Sequence, residues 1–259
     1  MSDKNRSQDA QPESDITGPL PKFRSALAAL SGSQKSSRGA PAYSRFVNRP
    51  MGRVIAAAAF VFGLTPNRVT VISAILTFSG IVILASVPPA LPMAVAVTFL
   101  LVFGYAADAA DGQLARLRGS SSPSGEWLDH VVDAIKSSTL HAAVLISWFR
   151  FFDLESVTLL IPLAYQVITA VFFFAMILTD QLRRLQQNST GMIVKKNGSV
   201  SALYALAVVP ADYGLLCLTF LLFAWQPVFI VVYGLLFLAN LLIVSGSLWR
   251  WFREMKRLG

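Results

Sequence analysis

Asp108-Ala-Ala-Asp111-Gly112-Gln-Leu-Ala115-Arg116 and, after eight intervening residues, Gly125-Glu126-Trp-Leu-Asp129-His130-Val-Val-Asp133-Ala-Ile-Lys136 form the stretch on which the reading of this chain turns. Both segments border long apolar runs, where ionisable residues are costly and face a polar cavity rather than lipid. Asp108, Asp111 and Ala115 recur at i, i+3 and i+7, one face of a helix. Gly125, Asp129, Asp133 and Lys136 recur at i, i+4, i+8 and i+11, again one face. The short connection through residues 117–124 makes the two helices antiparallel neighbours. Four carboxylates are therefore expected to converge near one end of both.

The surrounding composition places this constellation at a membrane. Of 259 residues, 54% are hydrophobic and 14% charged. A water-soluble chain carries about 25% charge, so this one has too little polar surface to cover a soluble body. The net charge of +8 raises nucleic acid as a partner, but the distribution of the cations answers that question below. Cys217, the single cysteine, lies in an apolar run and reads as a packed residue. One thiol excludes an internal disulfide and any CxxC metal or redox motif.

The predicted fold class is all-α: a polytopic membrane protein with six transmembrane helices preceded by an amphipathic surface helix. About 20 apolar residues cross a bilayer as helix. Segments that meet this run over residues 68–87, 91–117, 125–149, 157–182, 210–225 and 227–249, with Asp212 just inside the fifth. The stretch 199–209 is open to two readings, a surface segment or part of that fifth helix. Before the spans, Arg45, Arg49 and Arg53 recur every four residues within 42–64, as in a helix lying on the membrane surface. Pro50 is expected to kink or split it. Residues 1–41, rich in Ser, Gln, Pro, Gly and Lys, read as a disordered cytoplasmic tail. The membrane domain then covers 42–250, and 251–259 is a basic cytoplasmic C-terminal tail. Of the 22 Lys and Arg, Arg150 falls on the opposite side and Lys136 within a span, leaving twenty on the side of both termini. That asymmetry makes this side cytoplasmic, in a cell (plasma) membrane, and excludes nucleic acid as a partner.

Four carboxylates in one pocket repel each other unless a cation sits among them. Oxygen ligands alone favour a hard ion, Mg²⁺ or Mn²⁺, over zinc. Paired carboxylates commonly hold two such ions, which clamp phosphate oxygens. Gly112 and Gly125 clear side chains where a ligand approaches the backbone. Arg116 offers a planar fork suited to a diphosphate. Asp108, Asp111, Asp129 and Asp133 are the candidate metal ligands.

The order Asp108-x2-Asp111-Gly112-x2-Ala115-Arg116-x8-Gly125-x3-Asp129-x3-Asp133 resembles the signature of the CDP-alcohol phosphotransferase (CDP-alcohol phosphatidyltransferase) family at every fixed position. The six expected spans and the surface helix also look like that family's architecture. Pro66-Asn67-x2-Thr70, at the start of the first span, resembles a secondary feature lining the family's nucleotide pocket. The resemblance implies an enzyme of phospholipid biosynthesis. It would transfer a phospho-alcohol group from a CDP-alcohol to a hydroxyl acceptor and release CMP. By that analogy Asn67, Thr70, Gly112, Ala115, Arg116 and Gly125 bind the CDP-alcohol. Asp133 is the general base or shares a metal. A homodimer, with one metal site of two Mg²⁺ or Mn²⁺ ions in each active site, is also implied.

The acceptor is open to two readings. Lys136 needs an anion, either a neighbouring carboxylate or a phosphate on the acceptor, and Arg183 and Arg184, with Lys195 and Lys196 nearby, would suit a phosphorylated acceptor or serve as positive-inside charge. Residues 119–130, by contrast, look like the corresponding stretch of choline and ethanolamine phosphotransferases, which pair a soluble CDP-alcohol with a lipid acceptor. His130 points off the face that carries Asp129 and is expected to support the site rather than ligate metal. His141 is expected to pack or to bond between helices.

Overall fold

The computed structural model describes residues 18–32, 41–190 and 209–258. Among them every regular element is helical. Helix α1 spans Pro19–Gly32; a π-helical turn, Ser44–Asn48, runs into α2, Arg49–Val61. Then follow α3 (Pro66–Ser86), α4 (Leu91–Arg118), α5 (Pro123–Phe151) and α6 (Leu160–Thr190). The last two are α7 (Tyr213–Thr219), continued by a 3₁₀ segment Phe220–Ala224, and α8 (Gln226–Leu258).

Local chemistry sets the boundaries at the acidic end. Thr65 caps α3, its hydroxyl accepting from Arg68 N at 3.4 Å, with Pro66 in the first turn where no N–H is needed. Ser122 caps α5 in the same way, accepting from Gly125 N at 3.1 Å. Gly119 ends α4 at φ +60°, the left-handed conformation that glycine adopts without penalty. Thus α4 and α5 meet in a tight antiparallel turn that brings their acidic ends together.

Among the described residues four helices are long and apolar enough to cross a bilayer: Pro66–Ser86, Leu91–Arg118, Ser156–Gln186 and Gln226–Arg257. Their outward faces carry Ile75, Val82, Phe174, Leu235 and Leu242, all exposed as a lipid-facing surface requires. The 29 residues of α5 span about 43 Å, but its first half carries Glu126, Asp129, Asp133 and Lys136 and is not apolar. The segment expected at 210–225 is interrupted: α7 and its 3₁₀ continuation reach only about 20 Å, too short to cross alone. Residues 199–208 before it lie outside the described residues.

Two buried clusters hold the bundle. The larger is aromatic, with Trp148, Phe220, Phe223, Phe229 and Tyr233 packed edge to face and tilted; Phe223 and Phe229 have centroids 4.7 Å apart. It anchors the end away from the acids. The smaller joins Ala26 and Leu30 of α1 to Ala56, Ala57 and Ala59 of α2 and to Ala110 and Leu114 of α4.

That second cluster corrects the expected disordered tail. Residues 19–32 form a helix because Phe23, Ala26, Leu27 and Leu30 recur at i, i+3, i+4 and i+7, a stripe that docks against α2 and α4. Residues 1–17 and 33–40 lie outside the described set. The expected C-terminal tail from 251 is likewise helical, continuing α8 to Leu258. Pro50 does not break α2; it sits in the helix's first turn, and the π-helical turn precedes it.

Candidate active site

The acidic ends of α4 and α5 converge, with α3 beside them. Carboxylate oxygens of Asp108, Asp129 and Asp133 lie within 4.8 Å of one another. Asp111, expected as the fourth member, is outside that group. Its carboxylate accepts from the buried Thr70 hydroxyl at 2.5 Å, while remaining electrostatically coupled to Asp108 and Asp129. Thr70, one turn into α3, reaches across and holds Asp111.

Lys136 stands inside the acid cluster and is buried. Its ammonium pairs with Asp108, reaches Asp133 Oδ1 at 3.3 Å, and donates to Ser73 Oγ at 3.1 Å. Ser73 in turn donates to Gly104 O at 2.9 Å. The lysine therefore belongs to the acid cluster. One positive charge does not balance Asp108, Asp129 and Asp133, and the donor set is all oxygen. These residues fit a hard divalent cation.

A cavity of about 910 Å³ opens beside the acids. All six residues carried over for the nucleotide line it: Asn67 and Thr70 from α3, Gly112, Ala115 and Arg116 from α4, and Gly125 from α5. Asp111 and Asp129 also face it. A Cβ on Gly125 would lie 3.3 Å from Asn67 Oδ1 and 3.2 Å from Ser122 Oγ, so a larger residue would crowd this wall. Gly112 is less constrained, its nearest would-be contact being Arg116 Nη1 at 3.6 Å.

The opposite wall comes from α6 and α8. Arg183 and Arg184 line the cavity, as expected of acceptor candidates, yet both are engaged within the protein. Arg183 donates to both oxygens of Glu254 at 2.7 Å, and Arg184 donates to Glu126 at 2.6 Å. Lys195 and Lys196 lie outside the described residues. His130 sits 3.7 Å from both Asp129 and Glu126, beside the acids as an off-face residue should be. His141 bonds Tyr233 at 2.6 Å and Thr169 at 3.3 Å, an interhelical histidine.

Ser73 and Thr77 were not singled out from sequence. With Thr70 they recur at i, i+3 and i+7 along the otherwise apolar α3, and all three are buried. That polar stripe was the available signal. Gln113, within the signature, donates to Arg49 O at 3.3 Å and so ties α4 to the start of α2. Asp212 accepts from Gly214 N at 3.1 Å and from Ser44 N at 3.0 Å, fastening α7 to the π-helical turn. Neither link has a local signature, because its partners are distant in sequence.

A family model described as CDP-alcohol phosphatidyltransferase matches residues 63–245. No curated protein matches the chain.

Proposed function

We propose, from the premise that this chain belongs to the CDP-alcohol phosphatidyltransferase family, that its acid cluster and adjoining cavity form the centre that transfers a phospho-alcohol group to an acceptor hydroxyl. The family's chemistry is metal-dependent phosphotransfer from a CDP-alcohol to an alcohol in a membrane, in lipid synthesis. The observation that carries the assignment is the Asp108, Asp129 and Asp133 trio beside a cavity that six signature and flanking residues line.

In this reading Asn67, Thr70, Gly112, Ala115 and Gly125 hold the cytidine end, and Arg116 takes the diphosphate through its fork. Asp108, Asp111 and Asp129 would hold the divalent cations, two ions of Mg²⁺ or Mn²⁺, with Asp133 beside them. Bound there, the ions would neutralise phosphate oxygens and offset the charge that develops on them. The acceptor oxygen bonds to the phosphorus carrying the alcohol. The bond from that phosphorus to the oxygen of CMP breaks, and CMP leaves with the electron pair. Asp133 accepts the hydroxyl proton. Thr70 keeps Asp111 oriented, and Ser73 with Lys136 fixes Asp108.

The same reading has six membrane crossings, with α5 as one. Both termini and the site face the cytoplasm, in the plasma membrane and in a homodimer. Support for the orientation is the clustering of arginines at the site's end of the bundle. The test is CMP release by purified protein with a panel of CDP-alcohols and acceptors, with and without chelator. Release that depends on donor, acceptor and divalent ion is expected. Undiminished release in chelator would refute metal-assisted transfer.

A further inference from the structure

A second cavity lies between α5, α6, α7 and α8. Its volume is about 130 Å³. Ser137, one turn beyond Asp133 on α5, lines it and donates to Asp133 O at 2.8 Å. The large cavity is faced by Asp111 and Asp129, the small one by Ser137 and Tyr213. Through Ser137 the small cavity lies one helical turn from Asp133.

The two spaces differ in chemistry. Arg116, Arg183, Arg184 and Arg250 line the large one. Among the described residues no lysine or arginine lines the small one, and its surface is mostly apolar. Its one acid, Asp212, is already bonded to the backbone of Ser44 and Gly214. A phosphate placed there would be desolvated without a cation to offset its charge. A comparable apolar cavity of about 150 Å³ accepts benzene, so this one suits a short apolar segment. The Tyr213 hydroxyl is buried against the Cys217 thiol.

We infer that this second cavity seats the acceptor, and that the acceptor is an uncharged alcohol carried on a lipid. The inference rests on the phosphotransferase reading of the acid cluster. Among the described residues, three cations expected for a phosphorylated acceptor pair within the protein: Lys136 with Asp108 and Asp133, Arg183 with Glu254, Arg184 with Glu126. The apolar outer faces of α6 and α8 set lipid beside the cavity. The acceptor oxygen enters past Ser137 and Tyr213, bonds to the donor phosphorus as CMP departs with the electron pair, and gives its proton to Asp133.

The test uses the purified full chain in lipid nanodiscs with Mg²⁺ and a crossed panel. Donors are CDP-choline, CDP-ethanolamine and CDP-diacylglycerol; acceptors are diacylglycerol, glycerol 3-phosphate and inositol 1-phosphate. CMP release is expected with diacylglycerol. Ile168→Trp, which fills the cavity, should raise the acceptor KM about tenfold with the donor KM unchanged. In wild-type protein, a diacylglycerol with a photoreactive group near its glycerol should label peptides of α5, α6, α7 and α8. Release only with phosphorylated acceptors, or labelling confined to other helices, overturns the inference and leaves phosphotransfer standing. Release with no donor–acceptor pair removes the phosphotransfer reading and the inference with it.

Discussion

Replacing Lys136 by methionine keeps the side chain's length and apolar stem but deletes its charge. In the wild-type protein that charge meets Asp108, Asp133 and Ser73, with the lysine side chain 7% exposed and the two acids 18% and 33%. Breaking a fully buried pair by removing one partner costs about 3–5 kcal/mol, and an exposed pair about 0–1. The partial exposure of Asp133 puts this site between those limits, so a loss of about 2–3 kcal/mol is expected. For a chain of this size that corresponds to a fall in Tm of roughly 5–10 °C. Unfolding can be followed through Cys217, the single cysteine and fully buried, with a thiol-reactive fluorophore. Saturating Mg²⁺ should recover more stability in the variant than in wild type, because the variant's carboxylates have lost their internal cation. Activity should fall alike for every acceptor. An unchanged Tm with a selectively raised KM for a phosphorylated acceptor would refute this account of Lys136.

Asp108→Asn, Asp111→Asn and Asp129→Asn should each abolish CMP release while Cys217 stays protected; turnover surviving Asp108→Asn would contradict the assignment. Asp133→Asn should reduce turnover more than donor affinity, and an equal loss of both would indicate a ligand rather than a base. A Cβ on Gly104 would overlap Thr77 Oγ1 and lie 3.2 Å from Thr77 N and 3.3 Å from Ser73 O, so Gly104→Ala should separate α3 from α4, with a cost of about 1–3 kcal/mol; wild-type stability would disprove that close approach. A reporter active only outside the cytoplasm, fused after Gly259, should stay silent, and signal from it would overturn the proposed orientation.

The site was legible in sequence because its residues are local. Asp108 to Asp133 lie in two adjoining helices whose faces follow from helical period, and their convergence needs only a short turn. Lys136 was placed on the correct face, but its partners were not decidable: both a carboxylate and a phosphate satisfy an ammonium. The engagement of Asp111 by Thr70 and of Arg183 by Glu254 joins residues 41 and 71 positions apart, beyond the reach of local pattern. α1 escaped because a polar, Ser- and Pro-rich context masked a four-residue apolar stripe. α7 shows the opposite error. Residues 210–225 are apolar enough for a span, yet the described helix there lasts seven residues before narrowing to 3₁₀ geometry. Hydropathy counts residues and does not see that change.

The central claim is that the phosphorus carrying the alcohol moves to the acceptor while CMP departs. A CDP-alcohol labelled at that phosphorus, incubated with the purified chain, Mg²⁺ and an acceptor, tests it most directly. The account predicts that all transferred label appears in the acceptor product and that the released CMP carries none. Label recovered as free phospho-alcohol would mean hydrolysis, and label retained on the nucleotide would mean that a different bond is broken; either result contradicts the account.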